Sequence, residues 1–132
     1  MKCFTMTDTM KKLMTFCNNS DNAERYEFCF NKEKNILSIR FFTAPDHCVL
    51  LQCGSSDVIT VKELHWITTY YAPSKRVTYI RKYLDKYRIK STWGYKTYTA
   101  EVNLEQAIRF LKKLKFDKDS TYYRVNFVEE AS

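Results

Sequence analysis

Two histidines, His47 and His65, and five cysteines, Cys3, Cys17, Cys29, Cys48 and Cys53, are the side chains best suited to bind a metal or attack a substrate. The tightest grouping is "HCVLLQC", which holds His47, Cys48 and Cys53. Structural zinc sites favour ligand pairs about two to four residues apart. Cys48 and Cys53 have four residues between them on an apolar run that reads as a strand, where they point to opposite faces. No metal set and no cofactor is assigned on that spacing.

Nucleophilic chemistry fares no better. A cysteine and a histidine can meet in space, yet nothing local marks any of these thiols as activated, and small buried hydrophobes are their default role. His65 is followed by a hydroxyl at Thr68, one place too late for the His-x-Thr pair of two-histidine phosphoesterases, and the residues after His47 offer no hydroxyl. Asp8, Asp21, Asp46, Asp57 and Asp117 fall in caps or loops, not as the paired acids that metal-assisted hydrolysis requires. The chain has 2 glycines, where average usage would supply about nine, so glycine-rich phosphate loops are excluded. The chain is read as non-catalytic.

Charge is the stronger signal. Lys and Arg number 22 against 15 Asp and Glu, a formal surplus of +7, and aromatic residues make up 16%. A surplus of that size favours polyanionic partners. It is concentrated in "TVKELHWITTYYAPSKRVTYIRKYLDKY", Thr60 to Tyr87, which reads as two amphipathic helices around an interruption at Ala72 and Pro73. In the first, Val61, Leu64, Ile67 and Tyr71 share a face, and Thr60 with Glu63 has capping-box spacing. The alternation at Val58 to Val61 offers a strand over the same start. The second opens on Ser74 and turns Val77, Ile80, Tyr83 and Leu84 inward, leaving Lys75, Arg76, Tyr79, Arg81, Lys82 and Lys86 outward. "RIKST" and "KTYTAEV" follow as a hairpin with Gly94 at its tip, where a positive φ is expected.

Helix, turn, helix and hairpin, from Thr60 to Val102, resemble a winged helix-turn-helix. "TVKEL" is similar to the opening of a first helix, "SKRVTYIRKYL" to a recognition helix and "KSTWGYKTYTAEV" to a wing. The resemblance implies that Lys75, Arg76, Thr78 and Tyr79, with Arg81 and Lys82 behind them, meet base edges and phosphates. It implies that Lys90, Trp93, Tyr95 and Lys96 touch the backbone or minor groove. A second basic strip, Arg109, Lys112, Lys113 and Lys115, lies on the last helix.

The elements that must position these residues fit one α+β domain of 132 residues, mostly antiparallel sheet with three to four helices, with a winged-helix-containing domain as the alternative. Residues 1–57 read as a helix from Thr7 to Cys17, apolar at Met10, Leu13, Met14 and Cys17, followed by a three-stranded meander. Its strands are "RYEFCF", "ILSIRFF" and a central "CVLLQC". Residues 58–102 hold the helix-turn-helix and hairpin. Residues 103–132 hold a helix capped by Asn103 and Gln106, with a Leu104, Ile108, Leu111 and Leu114 stripe, and a last strand through Tyr123, Val125 and Phe127.

No apolar run approaches the roughly 18 residues that span a bilayer. "MKCFTMTDTMKK" lacks a signal-peptide apolar region, so an intracellular site, cytoplasm or nucleus/nucleoid, and reduced thiols are expected. The Lys/Asn/Tyr/Phe-rich, Gly-poor composition fits an AT-rich genome, as in many phages and viruses. The expected function is a small, non-catalytic nucleic-acid-binding protein, a regulator on DNA rather than RNA. The rival is a protein-interaction module, such as a viral or phage inhibitor or assembly protein, whose basic face meets an acidic partner surface.

Overall fold

The computed structural model describes residues 4–66, 78–92 and 94–117. Helix α1 (Asp8–Asn18) starts where expected. The Thr7 hydroxyl accepts the Met10 N–H at 3.2 Å, which satisfies one of the donors a helix start leaves open. A 3₁₀ turn at Ala23–Arg25 leads into β1 (Glu27–Asn31). Strands β2 (Ile36–Ala44) and β3 (His47–Cys53) complete the expected meander. The turn between β1 and β2 places Asn35 at φ 53°, a left-handed conformation that asparagine tolerates better than most residues. Its side chain also ties the N-terminal segment down, accepting the Thr5 N–H at 2.7 Å and donating to the Thr5 carbonyl at 3.0 Å.

The helix expected to open at Thr60 is instead strand β4 (Ile59–Trp66), paired to β3 on one side and to β6 on the other. The winged-helix reading therefore loses its first helix. The physical reason is a two-residue period that outweighed the helical one. Ile59, Val61 and Glu63 are sealed inside at 0% exposure, while Thr60, Lys62 and Leu64 are half-buried. A segment hydrogen-bonded on both flanks satisfies its backbone without a helix. The proposed turn and the start of the second helix, residues 67–77, and the last expected strand lie outside the described residues.

Helix α2 is short (Tyr79–Tyr83), and Thr78 precedes it in extended geometry. Strands β5 (Arg88–Thr92) and β6 (Tyr95–Val102) form the expected hairpin, with Gly94 at φ 91° at its tip. All pairings are antiparallel, and the six described strands lie in the order β1-β2-β3-β4-β6-β5. Helix α3 (Leu104–Lys113) closes the described chain. Asn103 and Gln106 exchange hydrogen bonds at 2.8 and 3.0 Å, as the capping-box spacing indicated.

One core joins the three helices to one face of the sheet. Met10, Leu13 and Cys17 of α1, Ile80 of α2, and Ala107, Phe110, Leu111 and Leu114 from α3 and its end meet Leu37, Ile39, Val49, Leu51, Ile59, Val61, Ala100 and Val102. The stripe of α3 is rotated from the expected one. Ile108 is half-buried, whereas Ala107 and Phe110 are buried at 0% and 1% exposure. Phe110→Ala should accordingly cost about 3–5 kcal/mol in urea unfolding. Ile108→Ala should cost no more than about 2 kcal/mol. The reverse order of losses would put the helix back in the orientation read from sequence.

Candidate functional site

Strands β3 and β4 bring together three residues that the sequence keeps apart. The register pairs His47 directly with His65, and Val49 with Glu63. Odd-numbered residues of both strands face the helices, so His47, Glu63 and His65 converge on that side. Glu63 and His65 stand two apart on β4, the spacing that puts two side chains on one strand face. His47 and Glu63 are 1% and 0% exposed.

A carboxylate in that setting needs donors, and Glu63 has them from two elements. The His47 Nε2–H donates to Glu63 Oε2 at 2.5 Å. The first two amides of α2 complete the set: Tyr79 N–H donates to Oε2 at 3.0 Å and Ile80 N–H to Oε1 at 2.9 Å. Those amides have no acceptor within their own helix, and the Thr78 side chain makes no capping bond. Glu63 is thus the N-terminal cap of α2, supplied from a strand. It sits where the positive end of the helix favours an anion. Burial pushes the Glu63 carboxyl up, but the His47 hydrogen bond, the His65 contact and the Ile80 N–H together hold it at about 2. Burial pulls His47 below its usual 6.5 against the opposing pull of Glu63, leaving a neutral ring. Its Nδ1 then accepts from the Thr43 hydroxyl, which lies in close contact.

Hydroxyl, imidazole and carboxylate in that order resemble a nucleophile, its base and an orienting acid. Thr43 is 2% exposed, so among the described residues the hydroxyl is buried and makes its contact to His47 inside the fold. His65 differs from its neighbours. Its Nε2 is buried, makes no hydrogen bond, and lies 3.5 Å from Glu63 Oε2.

The basic residues sort into those the fold gathers and those it separates. Helices α2 and α3 lie against each other, and the Lys115 N–H donates to the Tyr79 hydroxyl at 3.1 Å. Tyr83, 40% exposed, stands between the two strips. The Lys82 Nζ is 5.4 Å from its ring centre and the Lys113 Nζ 5.7 Å, within cation–π range. Arg81, Lys82, Lys86, Lys112, Lys113 and Lys115 are all exposed, and so is the acid Asp85 between Lys82 and Lys86 in sequence. The two strips therefore meet. Arg109 is partly neutralised by Glu105 at 3.1 Å, an exposed pair of the kind worth little.

The other residues expected at the interface are spread over the fold. Tyr79 is half-buried, with its N–H and hydroxyl both engaged and its ring 5.8 Å from that of His47. Thr78 is half-buried at the helix start. Tyr83, expected on the buried stripe, faces outward because α2 seats Ile80 alone at 0% exposure. The hairpin splits its own set. Lys96 pairs with His65 on the helix-bearing side, whereas Lys90, through Thr97, and Tyr95 lie on the opposite face. Lys75, Arg76 and Trp93 lie outside the described residues. Cys48 and Cys53 do fall on opposite faces, and burial raises both thiols, to about 12 and about 11.

Sequence reading missed the His47, Glu63 and His65 cluster because it placed Glu63 in a helix. Glu63 does cap a helix, but a later one. The available signal was Glu-x-His, which becomes a shared face once the segment is a strand. Replacing Glu63 with Gln keeps the shape but sets an amide against the incoming N–H donors and removes the charge. The loss should be about 3–5 kcal/mol by denaturant unfolding, and a loss below about 1 kcal/mol would mean that the carboxylate does not anchor α2. No protein-family model, curated protein or solved structure matches the chain.

Proposed function

We propose that the protein binds nucleic acid, DNA in the first instance, as a non-catalytic protein acting through the joined outer surface of α2 and α3. The observation that carries this reading is Tyr83, exposed and flanked by the ammonium groups of Lys82 from one strip and Lys113 from the other. Lysines give phosphate contacts whose strength comes largely from counterion release. The partly exposed Tyr83 ring, stacked on Tyr79 and flanked by both ammonium groups, adds an aromatic group that a base can contact. The net charge of +7 attracts a polyanion to that surface from a distance.

The mode differs from the one the winged-helix resemblance implied. Helix α2 spans Tyr79–Tyr83, little more than one turn. A recognition helix normally lies along the major groove and offers several side chains to base edges. The short helix, the phosphate-seeking lysines and the single stacking ring favour backbone contact with weak sequence preference.

Arg81, Lys82, Lys112 and Lys113 are exposed, so replacing all four with Ala should leave the fold intact, as circular dichroism and the melting temperature would show. Binding to a labelled DNA oligonucleotide at about 0.1 M salt should weaken by roughly a hundredfold, and the slope of log affinity against log salt should fall by about 3. Unchanged binding and slope would remove this face from the assignment. A parent protein that ignores DNA and RNA at all salt concentrations yet captures one acidic protein would favour the interaction-module reading.

A further inference from the structure

We propose that His47 Nε2, His65 Nε2 and Glu63 Oε2 form a site for one divalent first-row transition ion, with Zn2+ the ion that the ligand set suits best. One ligand atom from each of the three residues lies within 4.8 Å of the other two. The imidazole rings are 4.5 Å apart between centres. Two imidazoles and a carboxylate are a borderline-to-hard set that suits zinc, and three protein ligands leave a position for water. No thiolate competes from the flanking residue, since Cys48 points to the other face of the sheet.

Three features favour an ion over a merely packed polar cluster. The first is His65. Its Nε2 is buried, has no well-formed hydrogen bond, and has the Glu63 carboxylate oxygen at 3.5 Å as its neighbour, so a stronger partner between the two would be favoured. The second is rigidity. His47 and His65 are directly opposed in the β3–β4 ladder, and β4 is paired on both flanks, so the ligands sit on fixed backbone. The third is outer support. A metal-bound imidazole usually donates its remaining ring N–H to a neighbour, and the Thr43 hydroxyl already contacts His47 Nδ1.

The rearrangement is small and its protons balance. Ligand bonds of about 2.0–2.2 Å put two ligand atoms roughly 3.3 Å apart on a tetrahedral ion. His65 Nε2 and Glu63 Oε2 already stand 3.5 Å apart. The His47–Glu63 contact, now 2.5 Å, must open by roughly 1 Å. His47 and His65 each bind through Nε2 only when their single ring proton sits on Nδ1. His47 moves its proton from Nε2 to Nδ1 as the Thr43 hydroxyl turns from donor to acceptor, His65 carries its proton on Nδ1 in the same way, and the neutral rings take the ion without net loss of a proton. Glu63 Oε1 keeps the Ile80 N–H. The ion would thereby pin β3, β4 and the start of α2 together. The ion would lie beneath the helix that displays Arg81 and Lys82.

The test uses the full chain, stripped with a chelator and titrated with Zn2+ alone. The expected results are one Zn2+ per chain by calorimetry and a switch of His47 from the Nε2–H to the Nδ1–H tautomer in long-range 1H–15N spectra. The His65→Ala variant, its fold checked by circular dichroism, should lose affinity by at least about tenfold. Failure of the parent to bind Zn2+ overturns the proposal. So does binding that leaves the His47 tautomer unchanged, or binding that survives intact in a folded His65→Ala protein, because a cysteine site elsewhere then holds the ion. If His65→Ala does not fold, the tautomer in the parent protein decides.

Discussion

A carboxylate with no exposure to solvent, Glu63, holds the start of α2 against the centre of the sheet, and the arrangement of the basic surface follows from it. An uncompensated charge in that position would cost several kcal/mol. Two helix amides and the His47 N–H remove that cost, and the carboxylate, the ring and the pair of amides are each fixed by a different element of the fold. The His47 ring comes from β3, the carboxylate from β4 and the amides from α2. Loss of any one leaves the others with an unmatched polar group in the interior. The network therefore specifies where α2 can sit as well as stabilising it there.

The consequence reaches the surface. With its first turn clamped and Ile80 buried, α2 has one orientation in which Arg81 and Lys82 face outward and Tyr83 meets α3. The bond from Lys115 N–H to the Tyr79 hydroxyl holds the end of α3 in the same frame. Like-charged side chains on neighbouring helices repel one another, and the repulsion is tolerable because the Lys82 and Lys113 ammonium groups are attracted to the Tyr83 ring between them and both side chains are exposed to screening solvent. The clamp thus sustains a concentration of positive charge that free helices would relax by moving apart. A polyanion relieves the same repulsion from outside.

Much of this fold was legible in the sequence, and the places where it was not have specific causes. Helices α1 and α3 carry their own start signals at Thr7 and Asn103, and the hairpin tip carries Gly94, so local chemistry sufficed. Strands β1 to β3 alternate or run apolar over lengths too short for helices. Strand β4 failed because "TVKELHW" supports two periods at once. Val61 and Leu64 fit a helix, while Val61, Glu63 and His65 fit a strand face. The Thr60 and Glu63 spacing then imitated a capping box. Only pairing to β3 and β6, a long-range fact, settles the matter. The turn of α3 was misjudged for a smaller reason. Leu104, Leu111 and Leu114 belong to either orientation, and Ile108 looked the better hydrophobe until the volume of Phe110 took the core. The candidate site was least legible, since His47 and His65 meet through ladder register, which no local spacing encodes.

Amide hydrogen exchange at Tyr79 and Ile80 reaches the Glu63 clamp most directly. These are the first two positions of α2, and amides there have no acceptor inside the helix, so an uncapped start exchanges nearly as an unstructured peptide does. Strong protection at Ile80, comparable with the Leu84 amide that donates to the Ile80 carbonyl at 2.9 Å, is the expected result. Free exchange at Tyr79 and Ile80 beside a protected Leu84 would show that the carboxylate does not hold the helix, and would contradict the clamp.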